Sequence, residues 1–337
     1  MCQFMVNYKM NRLNERLEYV AKLFPDQNYE IIDLPSDASL RTYHRIILNN
    51  ENFVLMDDNS KNNDIYQFYK IDKFLSENNI RVPKIIEEDL SNGFLLLEDL
   101  GDDIFSKLIA SGESQEILYS KATYVLINIA NNIKEKPEFV PNLDEEFIKR
   151  DLSYILDYYY PSIYGKEISQ NARDEFYEII DELMIYKDKL SDSISLCDCH
   201  IDNLMIDKKG DCVQLDFQDA MWGSIAYDIL SLLEDARREV PVAIQEKCLN
   251  QFILNVKDLD QNDFTESYKF FSLFRHIRVI GIFSRLHLRD KKSSYLKFIP
   301  HCFNMLNHRL QDEKFYKMKS WFERYMPEEN KADIKVA

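Results

Sequence analysis

The sequence predicts an α+β fold in two lobes: a small antiparallel sheet lobe over residues 1–100 and a larger, mostly helical lobe over 101–330. Three observations carry this. Short strand-like segments crowd the first hundred residues. At Glu98-Asp-Leu-Gly101 the pattern turns to a 3.6-residue period. That period is then broken by a single tight hairpin around Lys208-Lys-Gly210.

The elements follow in order. Leu13, Leu17, Val20 and Leu23 recur at helical spacing, so Asn11 to Leu23 is expected to be an amphipathic helix. Tyr29 to Leu34, Thr42 to Leu48 and Phe53 to Met56 read as strands, the last two joined by Asn-Asn-Glu-Asn hairpin chemistry. Asp64 to Asn78 presents Ile65, Phe68, Ile71 and Leu75 on one face and is expected to be a helix. Pro83 to Ile86 and Gly93 to Leu97 complete five strands. Helical patterning fills 102–191 and resumes from Ala226 to about Tyr325, broken at 194–217 by the strands Leu204 to Ile206 and Cys212 to Leu215.

Composition excludes several classes. With 45% hydrophobic residues, 21 Phe and 20 Tyr, the chain has the means to bury large cores and is not disordered. A net charge of −16 argues against nucleic acid and anionic membranes, which attract basic surfaces. The first residues have no apolar run of the kind a secretory leader needs, and no stretch matches a membrane span. The six cysteines form no CxxC pair and read as reduced thiols, so the expected setting is the cytoplasm.

The chemistry lies in Leu196-Cys-Asp-Cys-His-Ile-Asp-Asn203 and, past the hairpin, Leu215-Asp-Phe-Gln-Asp219. Phosphoryl transfer needs one carboxylate to orient the attacking hydroxyl, and an amide oxygen with a second carboxylate to hold Mg²⁺ against the phosphates of ATP. Asp198, Asn203 and Asp216 supply those groups in that order. A bare Asp-x4-Asn is common in loops. A strand directly after Asn203, a turn, a second strand and then Asp216 make the conjunction specific. Cys197 and Cys199 read as buried thiols rather than metal ligands.

These residues, with Ser36-Asp-Ala-Ser-Leu-Arg41, Val82-Pro83, Gly93 to Gly101, Tyr227-Asp-Ile-Leu230 and Arg275 to Arg285, resemble the aminoglycoside phosphotransferase superfamily. Within it they are most similar to the bacterial anomeric sugar kinases acting on N-acetylmuramate and N-acetylglucosamine in cell-wall recycling. The likeness runs from about residue 30 to 300 and implies a protein-kinase-like two-lobed fold. It implies Asp198 as catalytic base, Asn203 and Asp216 as Mg²⁺ ligands, and Glu98 to Leu100 as an adenine-binding hinge. Ser36, Ala38, Ser39 and Arg41 would cover the phosphates. Two positions depart from the pattern. Leu196 stands where the family has a loop-bracing His, and Met56 and Asp57 stand where protein kinases carry a phosphate-gripping Lys. Arg41, Arg45 or Lys61 would meet the phosphate charge instead.

The acceptor is expected to be a small molecule. Candidate contacts are His200, Asp219, and the cations Arg275 and Arg278, which are three apart on one helix face and suited to a carboxylate. Asp228 is expected to tie the catalytic loop. An aminoglycoside or choline-type amine kinase is the alternative enzyme, and a nucleotide-binding pseudokinase-like module the alternative from another class. Oligomeric state is not legible.

Overall fold

A computed structural model describes residues 2–35, 41–49, 51–58 and 64–327. The chain divides into two compact units, Met1–Phe74 with Val82–Asp102, and Leu75–Arg81 with Asp103–Ala337.

The first unit opens with helix α1 (Cys2–Leu23), then β1 (Glu30–Asp33), β2 (Thr42–Ile47), β3 (Asn52–Asp57), α2 (Asp64–Glu77, its last turn belonging to the second unit), β4 (Ile85–Asp89) and β5 (Phe94–Glu98). The strands form one antiparallel sheet in the order β1-β2-β3-β5-β4. Ile46, Phe53, Leu55, Phe94 and Leu96 turn one face of it onto Tyr19, Val20 and Phe24 of α1. Tyr19 stacks on Phe94 at 5.0 Å between centroids. Asp57, at the position where a lysine would mark a protein kinase, is buried and paired with Arg12 and Arg16 of α1 at 2.6 and 2.9 Å. The carboxylate therefore anchors α1 to the sheet, because a buried charge is tolerable only when compensated.

The second unit carries α3 (Phe105–Ala110), α4 (Gln115–Asn132), α5 (Glu145–Tyr154), α6 (Tyr160–Tyr164), α7 (Gln170–Leu183), β6 (Asp192–Ser195), β7 (Leu204–Ile206), β8 (Cys212–Gln214), β9 (Met221–Ser224), α8 (Ala226–Leu233), α9 (Val242–Asn255), α10 (Gln261–Leu288), α11 (Ile299–Arg309) and α12 (Tyr316–Tyr325). Ser114, Asp144, Ser169 and Asp260 cap α4, α5, α7 and α10 through side-chain oxygens that accept backbone N–H groups. Helix α10 is buried along most of its length, which explains why its apolar residues show no single face. A Cβ at Gly281 would stand 2.5 Å from the Ile155 backbone nitrogen, so the absent side chain is what lets α10 approach the π-helical turn Ile155–Tyr159. At the far end Trp321 is fully buried and donates its Nε1–H to the Ala172 carbonyl, fixing α12 on α7.

The α+β class, the five-stranded N-terminal sheet and the β7–β8 hairpin are as expected from the sequence. Strand β4 lies at 85–89 rather than 83–86: Pro83 has no N–H to give a ladder, and the strand runs instead through exposed edge residues Glu87 and Glu88. The pairing of β6 with β9 was not anticipated. No helix among the described residues is long and apolar enough to cross a membrane.

Candidate active site

Strand β6 delivers the chain into a turn held from below by Asp228 of α8. The Asp228 carboxylate accepts from the backbone N–H of Leu196 (2.6 Å) and Cys197 (3.0 Å) and from the Ser195 hydroxyl (3.1 Å). Burial pushes its pKa up to about 6, although the three hydrogen bonds oppose the shift. This is the tie expected of Asp228. It performs the bracing that the Leu196 side chain, fully buried and apolar, cannot.

Cys197 then takes a positive φ of 66°, and the Asp198 N–H closes back on the Leu196 carbonyl at 2.9 Å, a γ-turn of the rare hand. Such a backbone costs about 1–3 kcal/mol and persists only where its surroundings impose it. Here it turns Asp198 out of the strand, its side chain 43% exposed. Asp216, after β8, also has a positive φ, 54°.

Asn203 joins the two aspartates. Its Nδ2 donates to the Asp198 carbonyl at 3.0 Å and lies 3.4 Å from both Asp198 Oδ2 and Asp216 Oδ2. The amide nitrogen faces Asp216, and the amide oxygen has no hydrogen bond among the described residues. A neutral amide oxygen and a carboxylate are the hard donors that Mg²⁺ prefers, so the pair fits that ion. Among the described residues no cluster of three or more His, Cys, Asp or Glu could hold a metal. Cys197 and Cys199 are buried thiols, as expected, and burial pushes Cys197 up to about 12.

His200 is one of the candidate acceptor contacts. Expected near an acceptor, it is buried; its Nδ1 accepts from the Asp202 N–H at 3.2 Å, and its Nε2 faces Asp198 Oδ2 at 3.4 Å and Asn203 Nδ2 at 3.3 Å. It therefore packs against both the Asp198 carboxylate and the Asn203 amide. Burial alone would raise the pKa of Asp198. The His200 contact, with the charges of Arg237 and Arg275, overrides it and holds the carboxyl far below the usual range.

Arg275 and Arg278, three apart on α10, have different partners. Arg278 is committed to buried Asp151 (2.5 Å) and to the Tyr227 hydroxyl (3.3 Å), whereas Arg275 donates Nη1 to the Glu234 carbonyl (3.2 Å). Sequence reasoning missed Arg237 and Arg238, which lie in the charged run Glu234-Asp-Ala-Arg-Arg-Glu239 and look there like solvated surface. Arg238 reaches Asp202 of the catalytic loop at 2.6 Å. Asp219 is exposed, three residues beyond Asp216.

In the first unit, Glu98 exchanges two hydrogen bonds with Lys84: its N–H donates to the Lys84 carbonyl (2.9 Å) and its Oε1 accepts the Lys84 N–H (2.6 Å). Leu100 follows, half-buried. The corner Asp99 to Asp102 is clamped by Arg45, which bonds Asp99, Asp102 and the Gly101 carbonyl. Arg41 is buried against Asp58 at 3.1 Å. Both arginines are thus already paired; Ser36, Ala38, Ser39 and Lys61 lie outside the described residues.

This arrangement is that of a phosphotransferase. Residues 30–253 match the model of the phosphotransferase enzyme family, and the chain belongs to that family. It is a kinase with an alcohol group as acceptor. Among proteins of known activity it is 31% identical to the N-acetylmuramate/N-acetylglucosamine kinase of Pseudomonas aeruginosa over 283 residues, covering 82% of each chain. To the enzyme of the same name from Neisseria meningitidis it is 26% identical, covering 88% of this chain and 90% of that one. The fold is shared with a choline kinase of Streptococcus pneumoniae (TM-score 0.63, 9% identity, 89% and 99% of the two chains). It is shared also with an aminoglycoside 2'-phosphotransferase (TM-score 0.60, 16% identity, 90% and 99%).

Proposed function

We propose that the protein transfers the γ-phosphate of ATP to the anomeric hydroxyl of N-acetylmuramate or N-acetylglucosamine, as a step in cell-wall recycling. The observation that carries the reading is Asp198, presented by a strained turn, ionised, and linked through Asn203 to Asp216, in a chain whose relatives are named for those two sugars.

Asp198 accepts the hydrogen of the acceptor hydroxyl and aims its oxygen at the γ-phosphorus. With so low a pKa it is a weak base, so its contribution is mostly orientation, matching a loose transition state in which the proton leaves late. His200 and Asn203 fix its rotamer. Asn203 and Asp216 would hold Mg²⁺, which when bound neutralises phosphate charge. The backbone of Glu98 to Leu100 is assigned to adenine, and residues 36–41 to the phosphates, with Arg41 anchoring the end of that segment on Asp58. Asp219 and Arg275 are assigned to the acceptor.

An amine kinase is the second reading, and the positive field of Arg237 and Arg275 at Asp198 disfavours it, since a cationic acceptor would be repelled there. The position of transfer is tested by NMR of the product of N-acetylglucosamine turnover. The expected spectrum couples phosphorus to the anomeric carbon and its proton. Phosphorus coupled to C6 instead would remove the anomeric assignment.

A further inference from the structure

We propose that Arg237, with Arg275, which bonds the Glu234 carbonyl of the same segment, recognises a carboxylate on the acceptor and so sets the preference for an acidic over a neutral amino sugar; the inference rests on the amino-sugar reading above. The other arginines around the catalytic loop are committed within the protein: Arg238 to Asp202, Arg278 to Asp151 and Arg309 to Glu234. Arg237 differs. Its guanidinium makes no hydrogen bond or ion pair among the described residues, although the chain carries 58 acidic side chains.

Its backbone is nevertheless rigidly placed. The Arg237 N–H donates to Asp235 Oδ1 at 2.8 Å. The Asp235 carbonyl is held by His301 (3.0 Å), the Ala236 carbonyl by the Cys302 thiol (3.6 Å), and Arg238 by Asp202. Glu234, which opens the segment, is locked by Ser272, His276 and Arg309. A segment fixed in this way presents an arginine that has no hydrogen-bond or ion-pair partner among the described residues.

Arg275 adds a second unfilled donor set. It is 3% exposed; Nη1 meets the Glu234 carbonyl, but Nε is buried without a partner and Nη2 bonds none of the described residues. Leaving guanidinium donors unpaired in a half-buried setting is costly, and the cost is recovered when an anion arrives. Both charges act on the Asp198 carboxylate, yet neither forms an ion pair with it. They therefore lie within electrostatic reach of the base but off it, where a substituent of the acceptor can come between. A guanidinium matches a carboxylate through two parallel N–H···O bonds, which a lysine cannot reproduce.

The test is the ratio of kcat/KM for N-acetylmuramate to that for N-acetylglucosamine, in wild type, Arg237→Gln and Arg237→Lys. The ratio cancels any change in the field at Asp198, which affects both sugars alike. Arg237→Gln is expected to lower the ratio about 10-fold or more, chiefly by raising KM for the acid, and Arg237→Lys to restore part of it. An unchanged ratio, whether both sugars fall together or neither changes, overturns the inference alone. A wild-type protein that turns over neither sugar overturns the amino-sugar reading, and this inference with it.

Discussion

Asp198→Asn is expected to lower turnover at least about 10²-fold while leaving ATP affinity nearly intact. The substitution keeps the size of the side chain and its approach to Asn203, but removes the charge that receives the hydroxyl proton. Because His200, Arg237 and Arg275 hold the Asp198 carboxyl far below the ordinary carboxylate range, wild-type activity should lose nothing to its protonation from about pH 5 upward. The checks are steady-state kinetics and nucleotide titration of the variant, with a pH–rate profile of the wild type. Turnover within a few-fold of wild type would remove Asp198 from the chemistry.

Asp228→Ala is expected to destabilise the fold by about 3–5 kcal/mol, because it leaves two buried backbone N–H groups and the Ser195 hydroxyl without their acceptor. The loop that bears Asp198 should lose its positive-φ turn with it. The pH dependence has a definite sign. The folded pKa of about 6 lies above the ordinary aspartate value of about 3.9, so the native state binds this proton more tightly than the unfolded one. The stabilising contribution of the proton is complete below about pH 4 and is lost as the pH rises through about 6. The stability gap between wild type and Asp228→Ala should accordingly be wider at about pH 4 than at pH 7, by about 2 kcal/mol. Denaturant titration at the two pH values measures it; a gap wider at neutral pH would contradict the assigned burial.

The fold was legible where information is local. Periodicities located α1, α2, the hairpin β7–β8 and most strands of the first unit, because one buried face imposes a pattern on consecutive residues. Strands β6 and β9 were not legible: each has four residues, nearly all buried, and they pair across 25 intervening residues whose one turn signal belongs to the β7–β8 hairpin. The site divides the same way. Asp198, Asn203 and Asp216 were expected together from their spacing, and the structure does bring them together. The direction of a side chain could not. His200 and Arg278 carry plausible chemistry but turn inward to Asp198 and Asp151, and Arg237 is concealed in a run of alternating charge that resembles any solvated loop. Asp57 shows the same limit, since only the docking of α1 reveals why an acid occupies that position.

Acceptor-dependent phosphoryl transfer to an amino sugar is measured by ADP release from Mg-ATP in the presence of N-acetylmuramate, N-acetylglucosamine, choline or kanamycin, with Asp198→Asn as the blank. Release is expected with the two amino sugars, none above background with choline or kanamycin, and the signal should be lost in the variant. Release with an amine alone, or with none of the four while ATP still binds, would contradict it.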